Sequence, residues 1–153
     1  MKILIIILFP ILLFPQDSTS WSSRIPHIVL SIAYPVIAAN TEWQQFKEKT
    51  TSGLEREMWA RKWHATQWYE RATGFSMAMA IPFHSKFNFK RTLIDSFLSG
   101  ILFWNIYDGV LNNKRGMSFY YSSKTTPSGF KNFDFLKIPL LLLAITIYIW
   151  EWL

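Results

Sequence analysis

The chain has 153 residues, of which half are hydrophobic, 18% aromatic and 17% charged. The charged share falls short of the roughly 25% of a soluble domain, and the absence of cysteine excludes disulfides, thiolate nucleophiles and Cys-based zinc or iron–sulfur sites. Sixteen Lys and Arg against ten Asp and Glu give a formal charge of +6. These basic residues lie between apolar blocks and form no single stripe or tail, so they read as membrane-flanking charge and exclude nucleic acid as the partner.

The first block, Ile3 to Phe14 behind Lys2, has the charge and length of a signal peptide. Residues 1–15 are expected to be a signal peptide or an N-terminal anchor, with Pro10 and Pro15 bending or ending any helix there. Residues 16–153 are expected to form one helical membrane domain. Its first apolar segment covers 25–39, with Pro26 suited to a first turn and Pro35 a candidate kink. From Asn40 the chain turns polar: Glu42, Lys47, Glu48, Lys49, Glu55, Arg56 and Glu57 read as solvated helix surface, and Thr50-Thr51-Ser52-Gly53 marks a break. The next segment, 64–83, begins amphipathically among Trp59, Trp63, Trp68 and Tyr69 and ends at Pro82, as an interfacial helix entering lipid would.

Residues 92–111 form the segment long enough to span a bilayer, and 138–153 form the last, closing on Trp150 and Trp152. The expected fold is therefore all-α: a small helical integral membrane protein with four or five short apolar segments. Loops 40–62 and 112–137 hold Lys47, Lys49, Arg56, Arg61, Lys62, Lys114, Arg115, Lys124, Lys131 and Lys137, while the opposite side holds Arg24, Lys86, Lys90 and Arg91. This imbalance puts those two loops on the cytoplasmic side of a bacterial inner membrane.

Ionisable residues inside apolar segments are costly and mark candidate sites. Asp95 and Asp108 both fall within 92–111, and Asn105, Asp108 and Asn112 share one helical face. His64 shares a face with Trp68 and Arg71. His64 and Asp108 are candidate acid–base residues, and Arg71, Asn105, Asn112, Arg115 and Tyr121 are candidate binding residues for an anionic or phosphate group. His27 and His84 show no metal-ligand spacing to another His or carboxylate, so no metal and no cofactor are expected. The run from Asp108 to Thr125 reads as a helix end, with Lys114 and Arg115 at the negative terminus and Gly116 permitting a left-handed turn.

Lys62-Trp63-His64, together with Asp108, Asn112, Arg115, Gly116, Phe119, Tyr121 and Thr125, resembles a pattern in a group of small uncharacterised bacterial or phage membrane proteins. The resemblance covers roughly residues 60–125. It implies a membrane protein and directs attention to His64, Asp108, Asn112, Arg115 and Tyr121, and it implies no activity.

Three functions are open at this level. The first is non-enzymatic association with membrane lipids, with other membrane proteins or with itself. The second is a membrane-embedded enzyme acting on a lipid or its phosphate through His64 and Asp108, with Arg71 or Arg115 holding the anion. The third is a transporter or proton-conducting subunit using Asp95 and Asp108.

Overall fold

The computed structural model describes residues 24–121 and 134–152. The expectations for residues 1–15 and for Lys124, Thr125 and Lys131 lie outside these residues. Among the described residues the regular structure is helical, in four α-helices: α1 (Ile25–Thr50), α2 (Gly53–His84), α3 (Phe89–Lys114) and α4 (Lys137–Trp152).

Pro26 lies in the first turn of α1, where its missing N–H costs nothing. The helix continues well past the polar switch at Asn40. Asn40 donates to the Val36 carbonyl and Thr41 to the Ile37 carbonyl, so both side chains are satisfied by the helix that carries them. The region 40–62, expected as solvated helix surface on the cytoplasmic side, is mostly helix. Only Thr51 and Ser52 interrupt it, before Gly53 at φ +59°. A connection this short folds α2 back along α1. Gly74 makes the close approach possible, because a Cβ there would stand 2.9 Å from Cε2 of Tyr34.

No proline occurs between Leu54 and Ile81, and the single Gly74 does not stop the helix, so α2 runs for 32 residues, longer than the expected 64–83. Pro82 falls in its last turn. The chain then reverses through Lys86 and Phe87, both at positive φ (51° and 56°), a costly conformation for side-chain-bearing residues. Hydrogen bonds from Phe87 N to Pro82 O (2.8 Å) and Asn88 N to Ser85 O (3.0 Å) hold the turn. Asn88 caps α3 by accepting from the Arg91 N–H at 3.1 Å. At the far end of α3, Gly116 takes φ +74° and Met117 N donates to Asn112 O, the expected left-handed helix stop.

Helix α1 packs on α2 and α3, and α4 packs on α3. Leu98 and Ile101 of α3 bury against Ala144 and Tyr148 of α4, flanked by Ile28, Ile94 and Leu140. The rest of the interior mixes small residues, Ser31, Ala38 and Ala39 on α1 and Ala80 on α2, with Leu30 and Leu111.

Helices occur at all four positions where membrane spans were expected, but no described helix is long and apolar enough to cross a membrane. His27, Ser31 and Asn40 dilute the apolar character of α1, Asp95, Asn105 and Asp108 that of α3, and charged residues recur along α2. The most apolar helix, α4, has 16 residues. At 1.5 Å per residue it covers about 24 Å, against a hydrocarbon core of about 30 Å.

Candidate functional site

All four helices send a side chain to one polar centre. In α1, His27 and Ser31 stand four residues apart and so share a face, as do Asp95 and Ser99 in α3. His84 ends α2, and Tyr148 comes from α4. Ser85, next to His84, binds Thr92 (Oγ to Oγ1, 2.6 Å) and the Pro82 carbonyl. This lock ties the end of α2 to the start of α3 and sets His84 beside Asp95.

His84 Nδ1 lies 2.8 Å from Asp95 Oδ2. The Asp95 side chain is fully buried and that of His84 is 5% exposed. A carboxylate so far from water needs a partner, and His84 supplies one. The His27 ring stacks on that of His84, with centroids 5.0 Å apart and planes 20° apart. On its other side, His27 Nε2 meets Ser99 Oγ at 2.9 Å, and Ser99 Oγ meets Ser31 Oγ at 2.8 Å. The Tyr148 ring lies 6.0 Å from that of His27.

Burial pushes the His27 pKa down to about 4; the Asp95 charge resists this shift and His84 adds to it. His27 is therefore a neutral imidazole near neutral pH. Burial also raises the Tyr148 hydroxyl well above its ordinary range, with the Asp95 charge adding to it and Arg24 opposing. Arg24, buried at the start of α1, is lowered by burial, while Tyr148 and Asp95 act to raise it.

Two buried atoms of the centre, His27 Nδ1 and Asp95 Oδ1, have no hydrogen-bond partner in the structure. One donor atom from each of His27, His84 and Asp95 lies within 4.8 Å of the other two. The arrangement is thus able to accept a cation or to pass a proton between imidazole and carboxylate.

The residues expected from sequence lie elsewhere. His64 is on an exposed face of α2, tilted against Trp63 with ring centroids 4.5 Å apart. Asp108 bonds Lys137 Nζ at 2.7 Å, and Lys137 also reaches Asp134 at 2.8 Å and sits 5.4 Å over the Trp104 ring. Burial alone would lower Lys137, but its bonds to Asp108 and Asp134 outweigh that and raise it. No hydrogen bond or ion pair joins His64 to Asp108 among the described residues.

Asn105 is buried and donates to the Ile101 and Lys137 carbonyls. Asn112 donates to the carbonyls of Phe119 (3.1 Å) and Tyr121 (2.9 Å), pinning the segment that follows α3. Phe119 folds over Gly109, where a Cβ would collide with its ring. Arg115 and Tyr121 are exposed, and Arg71 is exposed over the Trp68 ring at 5.9 Å. The distinctive stretch from Asp108 to Tyr121 therefore has a structural explanation as the sealed end of α3. A separate cavity of about 420 Å³ opens between α1, α2 and α3, lined by Tyr34, Thr41, Trp63, Gln67, Glu70 and Tyr107. Burial raises the Glu70 pKa there, against a hydrogen bond from Thr41.

His27 and His84 carried no metal-ligand spacing because they sit on different helices, far apart in sequence. The signal available was weaker: His27–Ser31 and Asp95–Ser99 are polar pairs one turn apart inside apolar runs, and buried polar groups seek partners. No family model matches the chain, and neither does any curated protein or solved structure.

Proposed function

We propose that the protein acts in contact with membrane lipid, through association and not through chemistry at His64 and Asp108. The observation that supports this reading is the apolar outer surface. Ile25, Val29 and Ile32 repeat along the outside of α1, and Phe75 and Met79 along α2. Leu93 and Phe97 do so on α3, and Leu142, Leu143 and Ile149 on α4. Scattered exposed apolar side chains are ordinary; runs on every helix mark a surface for lipid or for another protein.

Lipid is favoured by what stands at the helix ends. Phe83, Phe87 and Phe89 are exposed around the α2–α3 turn, beside Lys86, Lys90 and Arg91. Aromatic rings next to basic side chains suit the headgroup layer, where anionic lipid attracts the charge.

Flotation of the purified full chain with vesicles tests the reading. The expected result is co-flotation with both neutral and anionic vesicles, stronger on anionic ones at low salt. Protein that stays at the bottom of the gradient, and is monodisperse in detergent-free buffer, overturns it. Stable oligomers without lipid would reassign the apolar surface to self-association.

A further inference from the structure

We infer that His27, His84 and Asp95 bind one divalent transition-metal ion of the zinc class. This site goes beyond the lipid reading and does not depend on it.

The donor set comes first. Two imidazoles and one carboxylate are a ligand complement for zinc that leaves a fourth position open to water or an outside ligand, the arrangement of catalytic rather than structural zinc sites. Nitrogen and oxygen donors without thiolate also suit iron and cobalt, and do not suit the hard, all-oxygen preference of calcium or magnesium. The donor atoms lie within 4.8 Å of one another. With bonds of 2.0–2.1 Å, tetrahedral zinc places its ligands about 3.3 Å apart, so completing the site requires one of the two stacked rings to turn out of the stack.

Two buried atoms at the site also lack hydrogen bonds. Buried polar atoms in folded proteins are nearly always paired, and exceptions call for an unseen ion or water. His27 Nδ1 and Asp95 Oδ1 are such exceptions. A structural role for Asp95 would need only His84; it would leave His27, 1% exposed, stacked beside the pair with an idle ring nitrogen. A cation held by His27 Nδ1 and Asp95 Oδ1 would satisfy both.

Support stands behind the ligands as well. When His27 Nε2–H donates to Ser99, the lone pair sits on Nδ1, directed away from the serines. Metal-bound histidines characteristically fix their orientation by donating the other ring N–H in this way. Ser31 in turn holds Ser99.

Arg24 is the opposing element. Its charge is felt by Asp95 and Tyr148, so it weakens a dication at the site and favours an anionic fourth ligand.

The test uses the full chain in detergent, stripped with chelator and titrated with Zn²⁺, then with Co²⁺ as a spectroscopic probe. The expected result is one ion per chain, a higher Tm with Zn²⁺, and the visible absorption of four-coordinate Co²⁺. Asp95→Asn and His27→Ala should each weaken binding more than a hundredfold, and Ser99→Ala, which keeps all three ligands, about 10–100-fold. Circular dichroism of each stripped variant separates lost binding from lost folding, and Ser99→Ala keeps the test alive if the ligand variants fail to fold. Substoichiometric binding, Co²⁺ without those bands, or Zn²⁺ affinity unchanged in Asp95→Asn overturns the inference. Flotation of the stripped protein keeps the two readings apart: vesicle binding without metal affinity sinks only the metal site, and metal affinity without vesicle binding sinks only the lipid reading.

Discussion

The two ends of α3 solve the same problem differently. Each places an aspartate among apolar side chains and gives it a basic partner from another helix. Around Asp108 the donors are met: Lys137 reaches two carboxylates and an aromatic face, and Asn112 reaches two carbonyls. One acceptor there, Asn105 Oδ1, has no partner. Around Asp95 both an imidazole nitrogen and a carboxylate oxygen lack partners, in a setting far more shielded from water: the Asp95 side chain is wholly buried and that of Asp108 is 36% exposed. A polar cluster whose bonds close among themselves is complete as architecture. One whose bonds stop short of closing has room for something else.

The contrast breaks if the two aspartates prove energetically alike. Asp95→Ala should lower stability by about 1–3 kcal/mol, the cost of leaving the buried His84 Nδ1 without the carboxylate it meets. Denaturant unfolding in detergent measures it, and a loss below 1 kcal/mol would place Asp95 in a far wetter setting than its burial indicates.

A pH series sharpens the same contrast. The folded-state pKa of His27 lies at about 4, below its ordinary 6.5, so between these values the unfolded chain binds the extra proton and the folded chain does not. Stability should therefore fall as pH drops from about 6.5 toward 4, and the His27 contribution should level off below 4. A shift of this size corresponds to about 3 kcal/mol. His27→Gln should flatten that part of the curve; a slope unchanged in the variant would assign it to other groups.

The smallest effect belongs to Asp108→Asn. Its partly exposed carboxylate is one of two acceptors for Lys137, so the expected loss is about 1 kcal/mol or less. A Tm shift as large as that of Asp95→Ala would erase the distinction between the two ends.

Much of the fold was legible because its signals are local. Apolar runs located all four helices, Thr50 to Gly53 marked the first turn, and Gly116 marked the stop after α3. The polar stretch after Asn40 reads as solvated helix surface and is helix, with Asn40 and Thr41 satisfied on the helix backbone. Asp95 was visible as a costly residue, but its partners arrive from other helices, which no spacing along one chain segment encodes. His64 stands out through Trp68 and Arg71, which share its exposed face. Asp108 drew attention through burial cost, and the lysine that meets that cost stood at the margin of the last apolar run, where it read as loop.

Tyr148 comes from the last of the four helices, and this gives the polar centre a history as well as a shape. A ribosome adds roughly 5–20 residues per second. His27, His84 and Asp95 have therefore all been made roughly 3–10 s before Tyr148 is added. Until α4 emerges and docks on Leu98 and Ile101, the trio lacks the wall that Tyr148 supplies. Whatever occupies the centre has its easiest entry while the chain is still being synthesised.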